Sequence, residues 1–224
     1  TVTASSGLRS LFRFIPTQPK VVSASSMMVL DQENTEVGIN GILFLADCGV
    51  LPDPTAAQLA DIAVSTADIA AHLTSARPRV AFLSFSTHAE SPKHPSIEKI
   101  REALPLARAK AAELGLQADF DGELQLDAAL DAEVAEQKGL AGNAVAGQAN
   151  ILVFPDLNSG NIASKMLQVV AGARTYGQII TGLSRPCAEI SRGAHVYDIF
   201  GTSVITACQA IDRHLLFGSR EPAS

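Results

Sequence analysis

The stretch Gly-Ile-Leu-Phe-Leu-Ala-Asp-Cys-Gly-Val-Leu-Pro-Asp-Pro-Thr, residues 41–55, contains the change from strand to helix that decides the fold. Its first part, 41–47, is a short apolar run that ends in Asp47, Cys48 and Gly49, as expected of a buried strand. The segment 52–55 is typical of a helix start. An apolar stripe at helical spacing follows it, formed by Leu59, Ile62, Ala63, Ile69, Ala70 and Leu73. A buried strand that leads directly into an amphipathic helix is the repeating unit of an α/β sheet.

The rest of the chain repeats this alternation on both sides. Further strands are predicted at 21–30, 79–85, 117–121, 150–154, 176–181 and 188–191. Further helices are predicted at 96–114, 126–137, 159–171 and 196–217. Strands that alternate with helices of this length predict parallel βαβ units.

Composition excludes several classes of function. The chain has 224 residues, of which 47% are hydrophobic and 18% charged, and its formal net charge is -6. The 17 basic residues are dispersed, which argues against a nucleic-acid groove or an anionic membrane surface as the main partner. No apolar run is long enough to span a bilayer.

Cysteine and histidine usage predicts a metal-free protein of the cytoplasm. Cys48, Cys187 and Cys208 are an odd number without paired spacing, so we interpret them as free thiols in a reducing compartment. The five histidines show no metal-ligand spacing, and His88 and His94 are interpreted as surface residues.

Four polar segments follow predicted strands, at 47–49, 84–94, 155–161 and 191–198. Ligand sites in parallel sheets lie beyond the carboxyl ends of the strands. The simplest topology therefore places all four segments along one rim of the sheet.

The last of these segments contains the strongest candidates for chemistry. Ser191 and Arg192 precede a predicted helix, where free N–H groups and the helix dipole favour anions, and Arg192 could hold a phosphate with two hydrogen bonds. Asp198 could act as a general base. The structural alternatives stay open: Ser191 as a turn cap, Arg192 as a surface cation and Asp198 as an acid that the helix dipole favours in a first turn.

A second group surrounds the start of the helix at 159–171. Asn158 and Asn161 could bind carbonyl or phosphate groups, and Lys165 adds a positive charge. Gly160 allows a ligand to approach closely. The alternative is that an asparagine is the N-cap of this helix and that the lysine is solvated. Elsewhere, a basic cluster of Arg9, Arg13 and Lys20 could reach a phosphate or form a solvated face. Cys48 is interpreted as a buried, unreactive thiol because no basic residue is adjacent to it in sequence.

Taken together, these segments resemble the phosphate acetyltransferases (phosphotransacetylases) of the phosphate acetyl/butyryltransferase family. The matching stretches cover nearly the whole chain in order and spacing: 41–55, Leu-Ser-Phe-Ser-Thr at 83–87, Asp-Gly-Glu-Leu-Gln-Leu-Asp at 121–127, Phe-Pro-Asp-Leu-Asn-Ser-Gly-Asn at 154–161, and Ile-Ser-Arg-Gly at 190–193 with Asp198.

The resemblance implies a fold of two three-layer α/β/α domains with mostly parallel sheets, like the isocitrate and isopropylmalate dehydrogenases, and an active site in the cleft between them. On this basis the first domain comprises 1–30 and about 155–224 and is incomplete in this chain, and the second comprises about 31–154. A homodimer is also implied.

The implied reaction is the reversible transfer of an acetyl group between coenzyme A and phosphate. The aspartate matching Asp198 deprotonates the CoA thiol, which attacks acetyl phosphate directly, without an acyl-enzyme. The serine matching Ser191 stabilises the transition state, and the arginine matching Arg192 contacts substrate. Arg9 matches another substrate arginine more loosely. Coenzyme A is a substrate here, and no permanently bound cofactor is implied.

This sequence departs from the family pattern in three places. It begins where family members are already within their first domain, the segment 88–95 differs from a Gly/Ser-rich loop, and 183–189 contains Cys187, Ala188 and Glu189 in place of the usual residues. Two alternatives therefore stay open: a non-catalytic acyl-CoA-sensing domain like those attached to malic enzymes, and a relative that prefers butyryl groups.

Overall fold

A computed structural model describes residues 4–88, 93–191 and 193–212 of the chain. Its helices are α1 (Ala4–Phe14), α2 (Ala56–Thr74), α3 (Pro95–Glu113), α4 (Leu126–Leu130), α5 (Ala132–Gln137), α6 (Leu157–Val169) and α7 (Val196–Asp212). Its strands are β1 (Ser25–Asp31), β2 (Ile42–Ala46), β3 (Arg79–Leu83), β4 (Asp119–Leu124), β5 (Ile151–Val153), β6 (Arg174–Thr181) and β7 (Cys187–Ala188). The α/β fold class is thereby confirmed.

The strands form one sheet in the order β4-β3-β5-β2-β1-β6-β7. Strands β4, β3, β5 and β2 pair in parallel, whereas β1 is antiparallel to both β2 and β6, and β7 is antiparallel to β6. Five of the seven described strands therefore point the same way, and β1 and β7 point the other way. The mostly parallel sheet that was predicted is confirmed, and the two antiparallel strands lie where the connections from β1 to β2 and from β6 to β7 contain no crossover helix.

Helices cover both faces of the sheet and give the three predicted layers. On one face Met27, Phe44 and Phe82 pack against α2 and α3. On the other face Leu45 and Leu83 pack with small residues of α4, α5 and α6. The division of the chain into two domains stays a prediction.

The segment 41–55 folds as predicted. Thr55 caps α2: its hydroxyl accepts from the Gln58 N–H, and the Gln58 side chain accepts from the Thr55 N–H. This reciprocal arrangement satisfies two amides that the first turn would otherwise leave unpaired, and such a cap is worth about 1 kcal/mol.

The structure adds one helix to the prediction and divides another, and the end of a third lies outside the described residues. The N-terminal helix α1 was not predicted, although Leu8, Leu11 and Ile15 lie at helical spacing and pack against Leu183. The predicted helix at 126–137 is two short helices, because Asp131 adopts an extended conformation and caps α5. The closing helix is described as far as Asp212, and the remainder of the prediction to 217 lies outside the described residues.

The carboxylate of Asp47 connects these elements. Asp47 is 3% exposed and accepts five hydrogen bonds, from the N–H and hydroxyl of Ser26 and from the N–H groups of Gly49, Val50 and Leu51. It thus ties the turn after β2 to the start of β1 and leads the chain into α2.

Replacing this carboxylate is expected to weaken the whole sheet. Asp47→Ala leaves five donors without their acceptor, of which the two of Ser26 are buried and the three amides of the turn are part-buried, and we expect the free energy of unfolding to fall by about 3 kcal/mol in urea denaturation. Asp53→Ala is the matched control, since its carboxylate is 86% exposed and Lys99 is its one ion-pair partner among the described residues, so a change below about 1 kcal/mol is expected. Equal effects of the two substitutions would contradict the role given to Asp47.

Gly160 allows α6 to pack directly on the same turn. A Cβ at this position would lie 2.1 Å from the Asp47 carbonyl oxygen. Gly160→Ala should therefore push the helix off the turn and lower the free energy of unfolding by about 1–3 kcal/mol. Gly7→Ala in α1 is the control: a Cβ there would have nothing within 4 Å, so this substitution should leave the free energy of unfolding unchanged or raise it. An equally stable Gly160→Ala protein would show that the turn moves freely.

Candidate active site

Three of the four predicted polar segments lie at one edge of the sheet. The segments after β2, β3 and β5 leave at the shared carboxyl end of these parallel strands, and we call 47–55, 84–88 and 155–161 the rim. The fourth segment, 191–198, follows β7, which runs the opposite way. The expectation that all four share one rim was therefore wrong, because β7 is antiparallel to the strands that end at the rim.

The turn after β2 is the best-defined part of the rim. The Cys48 carbonyl oxygen accepts from the side-chain amides of Asn161 at 3.1 Å and of Gln178 at 3.4 Å. Gln178 also covers Gly49, because a Cβ on Gly49 would lie 1.7 Å from its Oε1. The turn is thus held between the start of α6 and the middle of β6.

The start of α6 places the second group of candidates. Asp156, not Asn158, is the N-cap, since its carboxylate accepts from the Ser159 N–H at 2.9 Å. Asn158 is exposed, and the exposed Lys165 donates to the Gln168 side chain at 2.9 Å. Asn158 and Lys165 therefore face solvent, while Gly160 and Asn161 contact the turn after β2.

The Cys48 thiol is fully buried, as the sequence predicted for an unreactive cysteine. Burial is the main cause that raises its pKa, and the charge of Asp47 adds to the effect. A hydrogen bond with Ser164 and the positive charge of Lys165 lower the pKa and offset this rise only in part. A thiol that stays protonated and covered is not a nucleophile.

The structure places Ser191 and Asp198 near the start of α7. The Ser191 carbonyl oxygen accepts from the Ala194 N–H in a turn, and the residue is exposed. Asp198 is half-buried, and its Oδ2 accepts from the His195 N–H at 2.8 Å, as an acid in a first helical turn commonly does. Its Oδ1 makes no hydrogen bond to a described residue. Arg192, the third catalytic candidate, lies outside the described residues.

Gln178 links the two groups of candidates. Its backbone N–H and C=O pair with Glu189, two residues before Ser191, while its side chain reaches the Cys48 carbonyl. Sequence reasoning missed this residue, because a glutamine within a strand carries no local signal of a long-range contact.

Two other predictions concern residues outside these groups. Arg9 is exposed on α1, whose apolar side packs near the end of β6. His88 was interpreted as a surface residue, but it is half-buried and its Nε2 lies 3.1 Å from the buried carboxylate of Asp121. That contact attaches the segment after β3 to β4.

The described part of the chain contains no cluster of three acidic, histidine or cysteine side chains that could hold a metal ion. No helix among those described is long and apolar enough to cross a membrane.

Comparison with known proteins agrees with the resemblance seen in the sequence. Residues 1–207 match the model of the phosphate acetyl/butaryl transferase family. A phosphate acetyltransferase from Acetivibrio thermocellus is 44% identical over 203 residues, which are 91% of this chain and 59% of that protein. A phosphate acetyltransferase from Thermoanaerobacterium thermosaccharolyticum is 43% identical over 91% of this chain and 60% of its own length.

Solved structures show the same likeness in three dimensions. A phosphotransacetylase from Streptococcus pyogenes has a TM-score of 0.82 at 40% identity and covers 94% of this chain and 61% of its own. EutD phosphotransacetylase from Staphylococcus aureus has a TM-score of 0.81 at 36% identity, with 93% of this chain and 61% of its own covered. The chain thus spans about three fifths of the length of the relatives it matches. On the family match, the order of its motifs and the shared fold, this chain belongs to the phosphate acetyl/butaryl transferase family.

Proposed function

We propose that this protein transfers an acetyl group reversibly between coenzyme A and phosphate. The observation that carries the proposal is family membership together with the segment 190–198, in which Ser191, Arg192 and Asp198 match the family's motif. Coenzyme A and acetyl phosphate are the substrates, and the thiolate attacks the acetyl carbonyl directly.

Each residue of the segment has one role in this mechanism. Asp198 takes the proton of the CoA thiol through Oδ1, the oxygen that the His195 hydrogen bond leaves available. Arg192 binds the phosphoryl oxygens, and the Ser191 hydroxyl donates to the oxygen on which charge develops. Most of the rate enhancement then comes from positioning two anionic substrates and stabilising that charge.

Residues around the turn at Cys48 support the same reaction. Asn161 and Gln178 hold this turn in shape, and Asn158 and Lys165 present an amide and a positive charge to solvent. Arg9 on α1 is a further cation for an anionic substrate.

Removing the base or the cation should abolish most turnover. Asp198→Asn keeps an oxygen that can accept from the His195 N–H, so α7 should form normally, but the amide cannot take the thiol proton. We expect kcat to fall about 10²- to 10³-fold in this variant and in Arg192→Ala, with unchanged urea midpoints. Turnover is measured as thiol released from acetyl-CoA in the presence of phosphate.

Glu113→Gln serves as the control, since Lys20 is the one ion-pair partner of this exposed carboxylate among the described residues. Wild-type kcat in both Asp198→Asn and Arg192→Ala would refute the assignment of the catalytic residues.

One observation favours a second candidate, a non-catalytic acyl-CoA-sensing domain. The hydrogen bond from the His195 N–H is by itself sufficient to explain an acid at position 198. Calorimetric titration with acetyl-CoA beside the thiol-release assay separates the two functions. Binding with turnover is expected, and binding without turnover would establish the sensor.

We also propose that the protein is a homodimer of the cytoplasm. An apolar stripe along α6 and its C-cap supports self-association, since Ile162, Met166, Val169 and Val170 are 58–80% exposed. The three free cysteines support a reducing compartment.

A further inference from the structure

Strand β6 contains a bulge at Gly177 and Gln178. Between Met27 and Val29 of β1 the pairing shifts, so that these two residues of β6 lie opposite a single residue of β1. Gly177 has a φ of 132°, a conformation that glycine adopts far more readily than other residues. A bulge turns side chains and amides out of the regular alternation of a strand, and bulges often occur beside functional sites. What Gly177 and Gln178 contact therefore shows what the bulge does.

The bulged part of β6 holds the first turns of α7. The Gly177 N–H donates to the Thr202 hydroxyl at 2.8 Å. Next to this contact, Gly201 lies against the Tyr176 ring, because a Cβ on Gly201 would be 2.3 Å from the nearest ring carbon. Asp198 lies about one turn before Thr202 on the same helix. This part of β6 thus fixes where the Asp198 carboxylate lies.

Gln178 joins the same strand to two further segments. Its backbone N–H and C=O each pair with Glu189 at 2.8 Å, and Glu189 leads directly into the segment 190–198. Its side-chain Nε2 donates to the Cys48 carbonyl oxygen at 3.4 Å, and the same oxygen accepts from Asn161 at 3.1 Å. One residue therefore contacts both the turn after β2 and the start of the segment that contains the proposed base.

Stability alone does not account for an amide at position 178. The Gln178 Oε1 is buried and has no hydrogen-bond partner among the described residues. It also lies so close to Gly49 that a Cβ there would be 1.7 Å from it. A buried oxygen without a partner costs free energy of folding, so an apolar side chain of the same size would serve packing at least as well. What the amide adds is the hydrogen bond to the Cys48 carbonyl.

We propose that Gln178 is a positioning residue whose side-chain amide sets the distance between the turn at Cys48 and the segment 190–198. The inference rests on the proposed function. Ligands of parallel sheets lie beyond the carboxyl ends of the strands, which is where this turn lies, whereas Asp198 comes from the other segment. Gln178 touches no reacting atom and acts through Glu189 and Cys48. Misplacing a reacting group by about 1 Å can lower a rate about 10²-fold, so this distance matters for turnover.

Removing the donor tests the positioning role. Gln178→Met keeps the length of the side chain, and we expect kcat to fall about tenfold, with the KM values for CoA and phosphate changed less than about twofold. Gln18→Met is the matched control, because Gln18 Nε2 also donates to a distant backbone carbonyl, that of Leu183, at 3.1 Å. The control should keep the wild-type kcat, and its urea midpoint should be no higher than that of Gln178→Met. Wild-type kcat in Gln178→Met, or equal losses in both variants, would overturn the inference.

Gln178→Glu tests the hydrogen bond itself. A protonated glutamic acid has the shape of glutamine and can donate to the Cys48 carbonyl, whereas the carboxylate cannot and repels that oxygen. Burial raises the pKa of such a carboxyl, so the ratio of variant to wild-type kcat should rise at least about fivefold from pH 8 to about pH 5.5. Asp47, Glu189 and Asp198, the acids on the neighbouring segments, are the same in both proteins, so the ratio removes their contribution. A ratio for Gln178→Glu that does not change with pH, as expected for Gln178→Met, would contradict the role of the hydrogen bond.

Amide hydrogen exchange tests the link without relying on turnover. In Gln178→Met, the amides of 47–51 and 189–191 should exchange at least about threefold faster than in the wild type, and those of 100–110 in α3 should not change. Unchanged exchange in both segments would overturn the link.

These measurements separate the inference from the proposed function. A wild-type protein without turnover would refute the proposed function, and the exchange rates would then decide the link between the two segments by themselves. Turnover with a wild-type kcat in Gln178→Met would support the enzyme and refute the positioning role.

Discussion

The buried carboxylate of Asp47 is the constraint on which the candidate site depends. An unpaired carboxylate in an apolar interior costs several kcal/mol, so the chain must supply donors wherever this side chain goes. It does so with the N–H groups of Gly49, Val50 and Leu51, which can converge on one carboxylate only if the chain turns sharply after β2. This turn then presents the Cys48 carbonyl oxygen to the side-chain amides of Asn161 and Gln178. The position of α6 and the contact with β6 are thus consequences of one buried charge.

Much of the fold could be predicted because local signals agree with it. The run at 41–47 is too apolar for a surface segment, and Thr55 with Gln58 forms the capping pair that begins α2. Periodicity, however, says nothing about strand direction, so the antiparallel placement of β1 and β7 could not be predicted from it. The length of the connections does indicate strand direction, since the segment between β6 and β7 is too short for the crossover that parallel strands need.

The sequence identified candidate residues for the site but did not predict how these residues are arranged in space. Asn161 was identified from its place near the start of a helix, but its contact with Cys48 spans 113 positions along the chain, and no spacing rule reports such a contact. The sequence analysis left open an asparagine as the N-cap of this helix, whereas the structure places Asp156 there, which is equally suited by residue type. Gln178 and Thr202 act only through partners on other elements, so their roles become visible only when the strands are in register.

The arrangement at α7 follows from a conflict between packing and access. A helix that filled its interface with β7 would be more stable, because empty space between packed elements forfeits dispersion contacts. Here Gly201 and Thr202 secure one end of α7, and small residues leave the remainder open towards the sheet edge. The amides of Ala188 and Ile190 also make no backbone hydrogen bond to a described residue at this edge of the sheet. Asp198 lies in the first turn of the same helix, so the anchor at Gly201 and Thr202 also fixes the position of that carboxylate.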